Sequence, residues 1–374
     1  MTQEKKLPIR AVITGGHQDP AIAVLQELEK EGRFEFHWVG QKNEGGQDGP
    51  SLEFRTVRKL GIPFYDLKTG KLYKSSILEW VKIPFGFFHA LYLLFRIRPR
   101  VVISFGGYIA APVVLAAYTL GIPSVTHEQT VVLGWANRFI SLFAKKIFVS
   151  WEESLKHFPK GKTVLTGNPV RRAVFEKKVR RFEFKNDLPT VYVTGGKRGA
   201  HVINETIRGA LSTFLERFNI IHQTGASEVF QDYQKLQLLK TQLPKKLRSH
   251  YIVQEFFGLD EIGAVFAACD LIVGRAGANT VTELAALAKP AVLIPIPWAS
   301  HNEQYLNAKL LSARGAVLIL PESELSTTNF LEAVSTIVSD LGRFRKSARS
   351  AKGLVKPDAA SLIARGIREL VDLS

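Results

Sequence analysis

The chain has 374 residues, 46% of them hydrophobic and 22% charged. That is the size of two ordinary domains, with enough apolar residues for a large core, and it excludes general disorder. Fifty Lys and Arg against 34 Asp and Glu give a net charge of +16, which calls for an anionic partner: nucleic acid, an anionic membrane or a phosphorylated substrate. A single cysteine, Cys269 in the apolar run VFAACDLIV, excludes an internal disulfide, argues against a Cys-based metal site and reads as a core residue.

The opening MTQEKKLPIR has no apolar stretch of the kind a secretory leader needs, and no run of about 18 apolar residues predicts a membrane span. A cytoplasmic protein is the expectation. Short apolar runs then predict strands at 10–14, 34–40, 100–105, 123–128, 146–150 and 162–167. A second set follows at 189–196, 218–225, 251–256, 269–275, 290–296 and 316–320. Many are continuously apolar, as strands buried on both faces are. Segments such as PAIAVLQELEKEG and TVTELAALAKP lie between them and carry helical periodicity. The alternation predicts an α/β protein with two Rossmann-like doubly wound domains. A charged, poorly periodic stretch at 170–189 separates the two sets. The predicted domains are 1–168 and 169–354, with a C-terminal helix over 355–374 returning to the first.

Four glycine loops follow predicted strands: Thr14-Gly15-Gly16-His17, Phe105-Gly106-Gly107-Tyr108, Thr194-Gly195-Gly196-Lys197-Arg198-Gly199-Ala200 and Arg275-Ala276-Gly277-Ala278-Asn279-Thr280. Glycine permits a tight turn and close backbone approach, and a helix N-terminus behind it favours phosphate. One such loop is weak evidence; four at the strand ends of both halves are not. None has dinucleotide or P-loop spacing, and there is no H-E-x-x-H, no clustered metal spacing and no G-x-S-x-G. His17, beside a glycine pair at a strand end, is a candidate general base. Ser124 to Thr130 offers polar groups either as a cap or to a polyhydroxyl substrate. Arg171 can reach a phosphate or a base. Glu283 suits a ribose diol, and the stretch from Trp298 to Asn307 suits sugar hydroxyls.

The stretch from Trp80 to Arg98 is rich in aromatics and is flanked by Lys68, Lys71, Lys74, Lys82, Arg96, Arg98 and Arg100. With Pro84 and Gly86 inside, it reads as too short to span a bilayer, and as either a core helix or an interfacial segment. Residues 54–100 net +8 and residues 138–185 net +9, leaving −1 for the rest. So concentrated an excess in the N-terminal half reads as a localised docking surface for an anion rather than as two ordinary solvated faces. Nucleic acid is disfavoured, because no nucleic-acid motif accompanies it.

In order along nearly the whole chain, TGGH, SFGGY, GIPSVTHEQ, LGWANR, TGNPVR, TGGKRGA, GRAGANTVTEL and NEQYLNA resemble the MurG-type transferases of peptidoglycan synthesis. The resemblance implies GT-B architecture, with a cleft between the two domains. It also implies inverting, metal-independent and cofactor-independent transfer of N-acetylglucosamine from UDP-GlcNAc to the lipid-linked muramyl-pentapeptide, lipid I. It assigns the donor to Arg171, Phe257, Ala278, Asn279, Thr280, Glu283, Glu303, Gln304 and Asn307, and Lys197, with Arg198, could compensate the diphosphate charge there. It assigns the acceptor to Gly15, Gly16, Gly106, Gly107, Tyr108, Glu128 and Thr130, with His17 the favoured candidate for the base or for positioning the acceptor. It assigns membrane docking to Lys82, Phe85, Phe87, Phe88, Leu91, Leu94 and Arg96, hence a peripheral place on the inner face of the plasma membrane beside other cell-wall synthesis proteins. The sequence departs from the family where Thr130 replaces Asn, where Lys197-Arg198 replaces Ser-Gln, at Glu303, and in a shorter first glycine loop. Another lipid acceptor such as diacylglycerol, and a non-catalytic UDP-sugar-binding protein, are the alternative readings.

Overall fold

The computed structural model describes residues 7–43, 49–70, 77–179, 181–227 and 229–373. Lys71 and Lys74 of the basic flank lie outside them. The chain forms two compact units, residues 1–171 with 356–374, and residues 172–355.

The first unit is built on β1 (Ile9–Thr14), β2 (Phe34–Gly40), β3 (Phe64–Asp66), β4 (Val101–Ser104), β5 (Ser124–Glu128), β6 (Lys146–Val149) and β7 (Thr163–Leu165). All pair in parallel, in the order β3-β2-β1-β4-β5-β6-β7. Ala11, Val12, Ile13 and all of β4 are buried, so these strands are covered on both faces, which is why they read as unbroken apolar runs. β3 is the strand that periodicity did not predict. It is a three-residue edge strand behind Pro63, too short to show a period. The helix Ala359–Asp372 packs on the helix Gln18–Glu29 and buries Ile363, Ala364, Ile367 and Val371 with Ile13, Val24 and Leu25.

The helix Ile77–Ile97 differs from its sequence-based expectation. It runs unbroken through Pro84 and Gly86 for 21 residues. Pro84 has no N–H to offer the Trp80 carbonyl, yet the helix continues. Gly86 is required by a close approach: a Cβ there would stand 2.3 Å from Thr69 Oγ1. By length and composition alone Glu79–Ile97 is apolar enough to cross a membrane. One face packs into the unit through Ala90, Leu93, Leu94 and Ile97. Arg98 takes a left-handed φ of 54° ahead of Pro99 and ends it.

The second unit is built on β8 (Thr190–Thr194), β9 (Asn219–Gln223), β10 (Tyr251–Gln254), β11 (Leu271–Gly274), β12 (Ala291–Leu293) and β13 (Val317–Ile319). These also pair in parallel, in the order β10-β9-β8-β11-β12-β13. Cys269 is buried just before β11, where burial pushes its thiol up to about 11.

Strand order reverses between β1 and β4 in the first unit and between β8 and β11 in the second. Ligands of open α/β sheets bind at such switch points, outside the carboxyl ends of the strands. The four glycine loops leave β1, β4, β8 and β11. Each unit therefore brings its two loops side by side at its own switch point.

Candidate active site

In the first unit the loops meet directly. A Cβ on Gly16 would lie 3.5 Å from the Gly106 carbonyl oxygen. Gly16, Gly106 and Gly107 have φ of 114°, 79° and 85°, values a side chain would strain. A Cβ at Gly106 would also stand 2.8 Å from Asn137 Nδ2. His17 follows at the N-cap of Gln18–Glu29, with its Nδ1 3.9 Å from where a Gly107 Cβ would be. The residue is exposed at the surface, and loss of hydration to the surrounding protein disfavours the charged imidazole and lowers its pKa. Glu128, a bond to the Phe105 carbonyl and Asp19 pull the other way without reversing this. A neutral imidazole at neutral pH is the form a proton acceptor needs.

The amides of these loops are largely committed within the chain. Gly15 N–H donates to the Val39 carbonyl at 2.7 Å, Gly16 N–H to Glu53 Oε1 at 2.7 Å and Gly106 N–H to Ser104 Oγ at 3.1 Å. Tyr108 donates its hydroxyl to Gln41 Oε1. Arg171 pairs with Asp19 at 3.7 Å inside this unit.

The Ser124–Thr130 segment is mostly interior rather than a surface of donors. Ser124, Thr126, His127, Glu128 and Gln129 are all buried. Glu128 accepts from the N–H and Oγ1 of Thr130 at 3.0 and 2.9 Å, from Asn137 Nδ2 at 3.0 Å and from Gly134 N–H at 3.3 Å. Thr130 and Glu128 therefore brace the loop between β5 and the helix Trp135–Phe143. His127 Nε2 meets the Gly167 carbonyl at 3.1 Å, and burial lowers its pKa to about 4.

In the second unit the helix Ala278–Leu287 begins at Gly277 with no side-chain cap. The N–H groups of its first turn, at Ala278, Asn279 and Thr280, present a positive helix end. Glu283 lies one turn on and is buried. Gln304 Oε1 accepts the N–H of Ala276 at 3.3 Å and of Ile296 at 3.1 Å, and Asn307 Nδ2 donates to the Ala276 carbonyl at 3.3 Å. Both side chains hold the glycine loop in place, and Glu303 half-buries beside them. The β8 loop carries Lys197 half-buried and Arg198 exposed. The ring of Phe257 is core, edge-on to Phe182 and Tyr192, so only backbone there can meet a ligand.

Sequence reasoning missed Gln223. Its Oε1 accepts the Phe257 N–H at 3.1 Å and its Nε2 donates to the Gly196 carbonyl at 3.0 Å, joining two loops. A polar residue closing the apolar strand NIIHQ was the available signal. It also missed a group formed by His201, Glu205 and Asp232, whose ligand atoms lie within 4.8 Å of one another. Glu205 is taken by Arg208 at 2.6 and 2.8 Å, and Asp232 by His201 at 2.8 Å and Asn204 at 2.7 Å. The group thus ties two helices together.

On the helix Ile77–Ile97 the outward residues Val81, Phe85, Phe88, Tyr92 and Phe95 are 57–70% exposed. Their spacing of four, three, four and three makes one stripe. Lys82, Arg96, Arg98 and Arg100 are exposed around it. Leu94, assigned to membrane docking from the sequence, is 1% exposed and belongs to the core. Phe87 and Leu91 are half-buried against that core.

Comparison with known proteins gives the following. The glycosyltransferase family 28 N-terminal domain matches residues 11–149 and the family 28 C-terminal domain residues 190–363. The chain is 36% identical over 341 residues to a UDP-N-acetylglucosamine–N-acetylmuramyl-(pentapeptide) pyrophosphoryl-undecaprenol N-acetylglucosamine transferase of Lachnoclostridium phytofermentans, covering 88% of this chain and 90% of that one. It is 33% identical to the protein of the same name from Listeria monocytogenes, over 98% and 99% of the two chains. Among solved structures it is similar to Acinetobacter baumannii MurG, with a TM-score of 0.69, 28% identity and coverage of 97% and 100%. A UDP-GlcNAc 2-epimerase from Neisseria meningitidis, at 14% identity, covering 96% and 99% of the two chains with a TM-score of 0.65, shares the fold alone.

Proposed function

The chain belongs to the glycosyltransferase family 28 N-acetylglucosamine transferases that act on N-acetylmuramyl-(pentapeptide) pyrophosphoryl-undecaprenol, and from that premise we propose how its residues divide the reaction. The enzyme moves N-acetylglucosamine from UDP-GlcNAc to the lipid-linked muramyl-pentapeptide. The second unit takes the donor. Ala278, Asn279 and Thr280 turn backbone amides toward the diphosphate, Glu283 takes the ribose diol, and Gln304, Asn307 and Glu303 shape the sugar pocket. Lys197 and Arg171 oppose the nucleotide's negative charge, and backbone beside Phe257 meets the uracil. The first unit takes the acceptor against Gly15, Gly16, Gly106, Gly107 and Tyr108, with Glu128 and Thr130 bracing the wall.

The acceptor hydroxyl attacks the anomeric carbon from the face opposite UDP. The new C–O bond forms as the bond to the diphosphate oxygen breaks, so the sugar inverts. The hydroxyl proton passes to His17, and the electron pair leaves on UDP. Helix-end amides aimed at that oxygen stabilise the charge as it develops. The reading rests above all on one observation: a histidine beside the paired glycine loops at the switch point of one unit, in a chain whose other unit ends the same construction in a helix with no side-chain cap. The exposed aromatic stripe with its basic border fits a peripheral place on an anionic leaflet.

A transfer assay with labelled UDP-GlcNAc tests this against a lipid I analogue and, separately, diacylglycerol. Label moving to the muramyl lipid alone is the expected result. Label on diacylglycerol would reassign the acceptor, and UDP binding with no product on either would make the protein a non-catalytic binder.

A further inference from the structure

The first glycine loop already holds an anion, supplied by the chain. Glu53 sits in the first turn of the helix Leu52–Lys59 and accepts the Gly16 N–H at 2.7 Å. Two other glycines make room for it. A Cβ on Gly15 would stand 2.5 Å from Glu53 Oε2, and one on Gly40 would stand 2.8 Å from the same atom. The carboxylate is delivered rigidly. Ser51, buried at the N-cap, accepts the Phe54 N–H at 3.2 Å and donates to the Gln41 carbonyl at 3.0 Å, fastening the helix start to the exit of β2. The ends of β1 and β2 and one helix therefore converge on a single side chain.

A carboxylate opposite a glycine-loop amide is the contact a ligand phosphate would make. A diphosphate cannot take the Gly16 N–H unless Glu53 leaves, and Gly15 N–H is committed to Val39. What this bond does fix is Gly16, at φ 114°, immediately before His17. We infer that Glu53 is a positioning residue for the transfer: it locks the Gly15–Gly16 turn and thereby fixes where His17 presents its ring. The inference rests on the reading of His17 as the base.

Steady-state transfer by the full chain, with UDP-GlcNAc and a lipid I analogue, tests it. Glu53→Ala is expected to lower kcat about a hundredfold while both KM values stay within about threefold, since a displaced base spoils the step rather than the binding. Glu53→Gln should restore most of kcat, because its amide oxygen accepts the same bond. In a His17→Ala background, Glu53→Ala should add little, the sign of two residues acting through one another. A lowered acceptor KM or raised kcat in Glu53→Ala would overturn the proposal and make the carboxylate a competitor of the acceptor diphosphate. So would a Glu53→Gln as impaired as the alanine variant, or fully additive losses. If Glu53→Ala fails to fold, Glu53→Asp, one methylene shorter, should fold and still lose kcat; unchanged kcat there overturns the proposal. Near wild-type turnover in His17→Ala alone would sink the base reading itself, and that single variant identifies it.

Discussion

The two units share one construction and use it differently. Both reverse strand order after their first strand, and both set two glycine loops at that reversal. In the first unit, the loop amides are bonded to Val39, Glu53 and Ser104, and a histidine stands where the helix begins. In the second, the helix behind the loop starts uncapped, and side chains at 304 and 307 hold the loop from behind. With those amides bonded to the chain, a side chain is what the first unit sets at the helix start. A helix start with no side-chain cap favours negative charge. The same topology thus carries a histidine at the helix start in one unit and a helix start without a side-chain cap in the other.

Each half of that contrast can be broken separately. The largest effect is expected from His17→Ala, which should lower kcat by about 10²–10⁴-fold, the usual worth of a general base, while UDP affinity measured by calorimetry stays unchanged. Because the His17 pKa lies below 6.5, the acid limb of kcat/KM should fall at a pH below 6.5 and vanish in the variant. Gln304→Ala should do the reverse. It strands the Ala276 and Ile296 amides, at roughly 1–3 kcal/mol, and should weaken UDP-GlcNAc binding about tenfold or more with acceptor binding intact.

The surface helix gives a sharper pairing. Phe85, Phe88 and Tyr92 changed together to Ser should abolish cosedimentation with anionic vesicles and leave the melting temperature nearly unmoved, since all three are exposed. Leu94→Ala should leave vesicle binding in place and cost roughly 2–5 kcal/mol of stability. The smallest effect concerns His127. Unfolded, it gains a proton near pH 6.5; folded, only at about 4. Acid therefore favours unfolding across that window, by up to about 1.4 kcal/mol per pH unit. Melts between pH 7 and 5 should show a shallower slope in His127→Asn.

The strands and the switch-point loops were legible because burial on both faces writes itself as an apolar run and a tight turn writes itself as glycine. β3 was not, since three residues at a sheet edge carry no period. Gly15 illustrates the deeper gap. Its presence was readable, but its reason is a carboxylate 38 positions later, brought close only by folding. Gln223 and Asn137 escaped for the same cause. Their partners belong to other strands and loops, and nothing local marks an amide that bonds across a sheet. Leu94 misled because a helix apolar on both its core and its outward face hides which is which.

The helix Ala359–Asp372 closes the first unit from the far end of the chain. At about 5–20 residues per second, a ribosome needs on the order of ten to forty seconds to make the 184 residues between the two parts of that unit. Throughout, the seat for Ile363, Ile367 and Val371 stays open to water beside Val24 and Leu25. The second unit, continuous in sequence, can fold to completion during synthesis. The first unit is thus the last to mature, and a nascent chain stalled before residue 359 would expose a sticky apolar groove for chaperones to recognise.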